Sequence, residues 1–417
     1  MKSNQQVLAT DATDSEPRLK RSLNLPLLVL YGLGTTIGAG IYVLVGAAAG
    51  RSGMYAPFAF VAAAIAVAPS AASYAELAGR FPVSAGEAAY VNAGFKSRYL
   101  SMLTGLLVVV SGVVASATIA IGCAGYVRTF IDLPLPVAVT GVIVVMGLVA
   151  AWGILESVLL AALFTLIEAG GLIILISAGF TSGDDLMLRL PETLPAVADL
   201  SIWFGIANAG LLAIFAFIGF EDMVNVAEET KKPGTTMPWA IFLTLAITAV
   251  LYILVTFVAV TAVPPSDLAR SEAPLSVVFE KLTGMSPVAI SAIAVFATLN
   301  TILVQFIMAS RVIYGMAGQG NMPAVFSRVS ATTHTPLLAT AVVVGFTWVL
   351  AIAFPLERLA EVTSILILFI WALANMALII MKLRQDRPPF DAFVVPMWVP
   401  VSGLLLSGAL IFVSIAG

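Results

Sequence analysis

The sequence is poor in the side chains with which enzymes and metal centres do chemistry. Its 417 residues include one cysteine, Cys123, and one histidine, His334, which stands in a polar stretch and is expected to be an ordinary loop residue. A single cysteine excludes an internal disulfide framework and a multi-cysteine metal site. Too few titratable residues remain in the apolar segments for a membrane protease or redox enzyme, so we expect no enzyme activity, no cofactor and no metal centre.

Charged residues are also scarce, and most of the chain is apolar. Charged residues make up 10% of the chain and hydrophobic residues 60%, with a mean hydropathy of +1.05. Uncharged runs of about 20 residues, long enough to cross a bilayer as helices, recur throughout. They lack the alternation of a membrane β-barrel. We therefore predict an all-α polytopic membrane protein whose partner is the lipid bilayer, with no nucleic acid.

Runs bounded by charges, Pro or Gly predict eleven membrane spans. They cover residues 25–50, 54–77, 97–127, 134–154, 157–180, 201–227, 237–262, 286–316, 336–354, 359–382 and 392–415. With the N-terminus inside, fourteen of the twenty Lys and Arg residues fall on the cytoplasmic side. This bias predicts a multi-pass protein of the cell (inner or plasma) membrane with a cytoplasmic N-terminus. Residues 1–22, polar and mixed in charge, read as a disordered cytoplasmic tail.

The spans repeat. Spans 1–3 match spans 6–8 at an offset of about 181 residues, and spans 4 and 5 match spans 9 and 10 at about 202. Because each half holds five spans, the second half must enter the membrane from the opposite side, which is a common plan of secondary transporters. The predicted units are residues 23–183 (first repeat), 184–385 (second repeat) and 386–417 (an extra helix).

Glycines interrupt the first span in "YGLGTTIGAGIYVLVG", Tyr31 to Gly46. They could serve close helix packing, since Gly34 and Gly38 are four residues apart. Alternatively the helix unwinds near Gly38 to Gly40 and exposes backbone N–H and C=O groups. The offset places Gly219 at the matching position of span 6. We predict that the helix is broken at both places, because free amides attract a carboxylate and free carbonyls attract an ammonium group. Gly34 is predicted to serve helix packing.

Four motifs in order carry a family resemblance. "GLGTTIGAGIYVLVG", "SYAELAGRFPVSAGEAAYV", "FIGFEDMVNVAEETKKPGTTMPWAI" and "SRVIYGMAGQGNMP" resemble the amino acid-polyamine-organocation superfamily. More narrowly, they are similar to bacterial amino acid permeases related to cationic amino acid transporters. The resemblance, over roughly residues 24 to 415, implies a five-plus-five inverted repeat of the leucine-transporter-like fold. It also implies transport of amino acids by alternating access, in which spans 1, 2, 6 and 7 move against spans 3, 4, 5, 8, 9 and 10.

The resemblance also implies site residues. The substrate-binding positions are Ile37, Gly38, Ala39, Gly40 and Ile41 in span 1, and Phe215, Phe217, Ile218 and Gly219 in span 6. Phe215 matches an aromatic gate and Glu221 an acidic residue linked to gating. Exposing both Glu221 and Asp222 to lipid would cost several kcal/mol on the order of insertion-scale values, so at least one should face water or a partner. Glu228 and Glu229 are either gating residues at the inner end of span 6 or a solvated loop.

Span 5 departs from the family pattern at Glu168. Several proton-coupled relatives carry a lysine at what looks like the matching position, whereas this chain has an acid. An ionisable residue inside a membrane span is a functional candidate by default. Glu168 is therefore either a coupling or gate-linking group, with the proton as coupling ion, or a permanently protonated packing residue.

Several alternatives stay open from the sequence. Sodium coupling would use hydroxyls such as Thr301 and Ser310, although such hydroxyls more often bond to their own backbone. An exchanger or exporter without ion coupling is the main rival, and a non-transporting amino acid sensor is a further one. The transported side chain and the choice between monomer and homodimer are not fixed. Many relatives have twelve spans where eleven are predicted here, and Glu87 interrupts the small-residue pattern that is usual after span 2.

Overall fold

The computed structural model describes residues 23–83, 86–152, 158–182, 186–196, 199–318, 322–330, 333, 335–389 and 392–416. The predicted N-terminal tail and His334 lie outside these residues. Within them the chain is helical, and the β pairing is a single bridge between Leu23 and Thr230. The predicted all-α class is thereby confirmed.

Each of the eleven predicted spans coincides with a helix. The spans are α1 (Leu25–Ser52), α2 (Ala56–Arg80), α4 (Arg98–Val127), α5 (Leu135–Trp152), α6 (Val158–Thr181), α7 (Leu200–Phe217), α8 (Pro233–Ala262), α11 (Val288–Gly318), α12 (Leu337–Ala353), α13 (Leu356–Leu383) and α14 (Trp398–Ala416). Three shorter helices, α3 (Gly86–Phe95), α9 (Pro265–Arg270) and α10 (Pro274–Thr283), connect them. Among the described residues, eight helical stretches are long and apolar enough to cross a membrane, and three shorter apolar stretches accompany them.

Helix α1 lies at the centre of the packing. It contacts α2, α4, α6, α7, α8 and α11, and its predicted counterpart α7 runs beside it. One apolar cluster joins α1, α2, α7 and α8 with α13, and a second joins α4, α5, α11 and α12. Since lipid tails are as apolar as the side chains, such contacts are stabilised by close packing more than by hydrophobic burial.

The predicted break in α1 is wrong for this structure, because the helix runs without interruption from Leu25 to Ser52. Its glycines allow close approach instead. A Cβ on Gly38 would collide with the Thr301 hydroxyl, and a Cβ on Gly40 would collide with Ala216 of α7. The backbone amides thus keep their helical partners, and the packing explanation given for Gly34 extends to Gly38 and Gly40.

The predicted break in the sixth span is confirmed. Helix α7 ends at Phe217, Ile218 has extended backbone angles, and Gly219 has a φ of 125°. A 3-10 segment, Glu221–Glu229, continues the chain. That φ lies in a region where glycine is favoured. A side chain there would also collide with the Thr35 backbone. Both the backbone angle and the lack of space therefore require glycine at this position.

Candidate functional site

The break in α7 faces the middle of α1. The Thr35 hydroxyl lies 3.0 Å from the Gly219 carbonyl oxygen and 3.0 Å from the Gly32 carbonyl oxygen of its own helix, so the two carbonyls share one donor. The Gly219 amide donates to a carboxylate oxygen of Glu221 at 3.1 Å. An amide of the kind that was expected to attract a substrate carboxylate is therefore satisfied by a carboxylate of the protein itself. A substrate acid group that used this amide would have to replace Glu221.

Tyr252 of α8 links the two central helices. Its hydroxyl lies 2.8 Å from the Thr36 carbonyl oxygen of α1 and 2.9 Å from the Ala216 carbonyl oxygen of α7. A phenol has a single proton, so the two carbonyls share one donor. The sequence analysis did not identify Tyr252. A tyrosine hydroxyl inside an otherwise apolar span could have indicated it, because such a group needs a hydrogen-bond partner.

The predicted substrate-binding positions lie together but are tightly closed. Ile37, Ile41 and Phe217 are fully buried, and Phe215 nearly so. Gly40 packs against Ala216 of α7. The Ala39 side chain lies outside the described part of the structure.

The two phenylalanines before the break have different surroundings. Phe217 belongs to the apolar cluster of α1, α2 and α8, and its ring centroid is 5.3 Å from that of Tyr252. Phe215 belongs to the cluster of α4 and α11. Phe215 thus joins Leu212 as a residue of α7 that packs in the second cluster.

Two small cavities lie next to the break and share Asp222 and Gln305 of α11. Each has a volume of about 20 Å³. Tyr31, Gly34, Thr35, Thr165, Asn300, Thr301 and Val304 also line the first cavity. Glu87, Val108, Ser111, Gly112, Ala115, Ile218, Glu221, Met308, Thr363, Ile367 and Ile370 also line the second. The Gln305 amide nitrogen lies 3.4 Å from an Asp222 carboxylate oxygen, and both residues contribute to the lining of each cavity.

Both acidic residues after the break point inward. Glu221 is 3% exposed and Asp222 is 8% exposed. The expectation that they avoid lipid is therefore met, through a backbone amide for Glu221 and through Gln305 for Asp222. Gln305 was missed by the sequence analysis, since one amide side chain in a long apolar span carries little signal.

Glu168 is buried in α6, with 1% of its surface exposed. Its backbone carbonyl accepts a hydrogen bond from the Tyr42 hydroxyl at 2.7 Å. Neither carboxylate oxygen has a hydrogen-bond partner at ordinary distance among the described residues, and Asn300 of α11 is the polar side chain that faces it. This placement fits both the coupling group and the protonated packing residue that the sequence left open.

The C-terminal end of the 3-10 segment pairs with the start of α1 through its backbone. The Leu23 amide donates to the Glu229 carbonyl at 3.0 Å, and the Lys231 amide donates to the Leu23 carbonyl at 2.9 Å. The Glu229 side chain is partly exposed, and the Glu228 side chain lies outside the described part. The structure thus shows backbone hydrogen bonds between α1 and the 3-10 segment at the place where the sequence left open either side-chain gating or a solvated loop.

The hydroxyls considered for sodium bond to their own helix. Thr301 donates to the Ala297 carbonyl at 3.0 Å and Ser310 to the Ile307 carbonyl at 3.0 Å. This is the ordinary behaviour of such residues in membrane helices.

Glu76 forms an ionic network that the sequence analysis missed. Fully buried at the end of α2, it accepts hydrogen bonds from the Arg80 Nε at 2.8 Å and the Lys382 Nζ at 2.7 Å. The Val395 amide adds another at 2.8 Å. One carboxylate therefore ties together the ends of α2 and α13 and the chain that leads to α14. Arg80 is four residues from Glu76, but Lys382 and Val395 are more than 300 positions away, so local patterns could not reveal the network.

Comparison with known proteins agrees with this geometry. The family model described as amino acid permease matches residues 23–416. The branched-chain amino acid permease BcaP of Bacillus subtilis is 28% identical over 425 residues, which cover 97% of this chain and 90% of that protein. An uncharacterized transporter of Mycobacterium tuberculosis is 29% identical over 419 residues, covering 97% and 92%. The vacuolar cationic amino acid transporter 4 of Arabidopsis thaliana is 30% identical over 405 residues, 90% of this chain and 65% of that protein.

Proposed function

The chain belongs to the amino acid permease family, and from that premise we propose that it is a secondary active transporter that moves amino acids across the cytoplasmic membrane by alternating access, coupled to protons. The distribution of Lys and Arg supports an N-terminus inside the cell. No enzymatic step is proposed. The relatives named above are permeases and transporters.

The observation that carries the proposal is the break in α7. In a bilayer, irregular backbone is tolerated only where protein or a water-filled cavity satisfies its polar groups. Here the Gly219 carbonyl accepts a hydrogen bond from the Thr35 hydroxyl, and the Gly219 amide donates one to the Glu221 carboxylate. Both partners are side chains, so a bound ligand could replace them. A zwitterion offers a carboxylate and an ammonium group, which match an amide donor and a carbonyl acceptor.

Alternating access requires that α1 and α7 move relative to their neighbours. The closed packing of Ile37, Ile41 and Phe217 supports a closed conformation, with substrate entry requiring separation of these helices. The polar contacts that such a movement would have to break include those of the Thr35 and Tyr252 hydroxyls and the Leu23–Thr230 bridge.

Proton coupling is supported by the buried acids. Glu168, Glu221 and Asp222 are all inside the membrane protein, and Glu168 has no hydrogen-bond donor on its carboxylate among the described residues. A buried carboxyl group without a cationic partner favours its protonated form. A change in water access during transport would then release and rebind the proton.

The experiment is uptake into proteoliposomes that contain the purified protein. L-Leucine and L-lysine serve as probes, since the relatives named above are a branched-chain permease and a cationic transporter. Accumulation driven by an inward proton gradient, with acidification of the lumen, is the expected result. Counterflow that proceeds equally well without any gradient identifies an exchanger and contradicts proton coupling. Failure of all twenty amino acids to cross contradicts transport altogether and favours a sensor.

A further inference from the structure

Glu87 brings a third carboxyl group to the second cavity. It lies in α3, the short helix between α2 and α4, and it is separated from Glu221 and Asp222 by more than 130 positions in sequence. All three carboxyl groups line the same cavity of about 20 Å³. The proposed function gives Glu87 no role.

No positive charge balances these three acids. Among the described residues around the two cavities there is no Lys, Arg or His. The titratable groups that face Glu87 are Tyr74 of α2 and Tyr90 of its own helix, together with Glu221 and Asp222. The sides formed by α4, α11 and α13 contribute uncharged residues, such as Ser111, Gln305 and Thr363. Arg384, which packs against α3, donates to the backbone carbonyls of Ala93 and Gly94.

The cavity also has hydrogen-bond acceptors that lack donors. Gln305 is 7% exposed, and its side-chain oxygen has no partner in the part of the chain that the structure describes. One carboxylate oxygen of Glu221 is likewise unpaired there. Each unpaired buried acceptor is costly, so the cavity is built for something that donates hydrogen bonds.

The donor must be small. A volume of about 20 Å³ holds one water molecule and no larger group. Among the described residues, no three acidic, His or Cys side chains are arranged to hold a metal ion. A proton bound to one of the carboxyl groups fits into this space, with or without one bridging water. It neutralises one negative charge and provides a hydrogen-bond donor for the unpaired acceptors.

The ionisation of Glu87 agrees with such a role. Burial raises the pKa of the Glu87 carboxyl group from 4.5 to about 7, opposed by its backbone amide and reinforced by the nearby Asp222 carboxylate. A pKa near neutrality allows a group to gain and lose a proton under physiological conditions.

We propose that Glu87, Glu221 and Asp222, with Gln305, form a proton-binding site next to the inner face of the α7 break, distinct from Glu168. When the cavity is closed, exclusion of water forces the three carboxyl groups to retain at least one proton. When it opens to the cytoplasm, water solvates the carboxylates and the proton leaves to water. The linkage to transport rests on the proposed function, whereas proton binding does not.

The first test measures the proton directly. Infrared spectra of the purified protein, titrated between about pH 5 and pH 9, should show a protonated carboxyl band that disappears near neutrality, as the pKa of Glu87 requires. Glu87→Gln should remove one component of that change, while Glu192→Gln, an exposed acid paired with Arg189, should leave it intact. A titration of Glu87→Gln identical to that of the wild type overturns the proposal.

The second test measures coupling. In proteoliposomes with L-leucine and L-lysine as probes, Glu87→Gln should lower the protons moved per amino acid and flatten the pH dependence of uptake. An unchanged proton ratio and pH profile overturns the coupling role. If the wild type moves neither probe, the proposed function fails for these substrates and the infrared titration still decides the site. If Glu87→Gln does not fold, Glu87→Asp should shift the titration midpoint, and an unshifted midpoint counts against the proposal.

Discussion

The hydroxyl oxygen of Tyr252 lies 2.8 Å from the carbonyl oxygen of Thr36, which joins α8 to the middle of α1. The same hydroxyl lies 2.9 Å from the Ala216 carbonyl oxygen, one turn before the break in α7. A single donor thus holds the two central helices at the level where α7 unwinds.

Replacing Tyr252 with Phe should loosen this junction. The ring and its contact with Phe217 are kept, so the change removes one buried donor, worth about 1 kcal/mol. We expect a lower melting temperature in detergent and slower amino acid uptake. Tyr99→Phe, at an exposed tyrosine, is the matched control. Equal melting temperatures for the two variants would show that the hydroxyl does not hold the helices.

Gly219→Ala should abolish transport. The backbone angle at Gly219 and the collision with Thr35 both oppose a side chain, and strain of this kind costs ~1–3 kcal/mol before the collision is counted. Uptake and the yield of folded protein are the measurements. Gly345→Ala is the control, because an added Cβ there meets nothing within 4 Å. Wild-type uptake by Gly219→Ala would contradict the assigned geometry of the break.

Glu76→Gln should destabilise the inner end of the protein strongly. The substitution leaves the buried Lys382 and Arg80 without a compensating carboxylate, and removing one partner of a buried ion pair costs ~3–5 kcal/mol. Thermal unfolding in detergent reports the loss. Glu280→Gln, at an exposed glutamate, controls for the change in charge.

The double variant Glu76→Gln, Lys382→Met should recover part of that loss of stability, because the second substitution removes the ammonium group that Glu76→Gln leaves unpaired. Such a cycle isolates the energy of the pair. Purely additive effects of the two substitutions would mean that the pair contributes nothing of its own.

Stability should fall as the pH rises from about 4.5 to about 7. The pKa of the Glu87 carboxyl group is about 7 in the folded protein against 4.5 when unfolded, so between these values the folded state holds the proton more tightly. Raising the pH through that window removes the advantage, which amounts to ~3 kcal/mol. Melting temperatures at several pH values should decline for the wild type and for Glu192→Gln. The decline should be smaller for Glu87→Gln, and equal slopes in all three would refute the assignment.

Glu168→Gln tests the coupling candidate in α6. The substitution keeps the shape and removes the titratable proton, so substrate-driven proton flux should fall while counterflow exchange continues. Unchanged coupling in reconstituted Glu168→Gln would leave Glu168 as a packing residue. Comparison with Glu87→Gln then shows whether one site or both carry the proton.

Much of the fold could be predicted from the sequence because bilayer insertion depends on local composition. Hydropathy predicted eleven spans, and each coincides with a helix. The break at Gly219 could be predicted because glycine and two acids interrupt one apolar run. The same reasoning failed at Gly38 and Gly40, where glycine serves contact with Thr301 and Ala216. A glycine motif alone does not distinguish unwinding from close packing, since both need the missing Cβ.

The sequence by itself determined the all-α membrane class, the number of spans and the break in the sixth, because each follows from residues close together in the chain. Only the tertiary structure decided that α1 stays continuous and that Tyr252 joins it to α7. The tertiary structure also brought Glu87 into one cavity with Glu221 and Asp222, and Lys382 to Glu76. These pairs are separated by more than 100 positions, and their contacts depend on how helices pack, which no local pattern encodes.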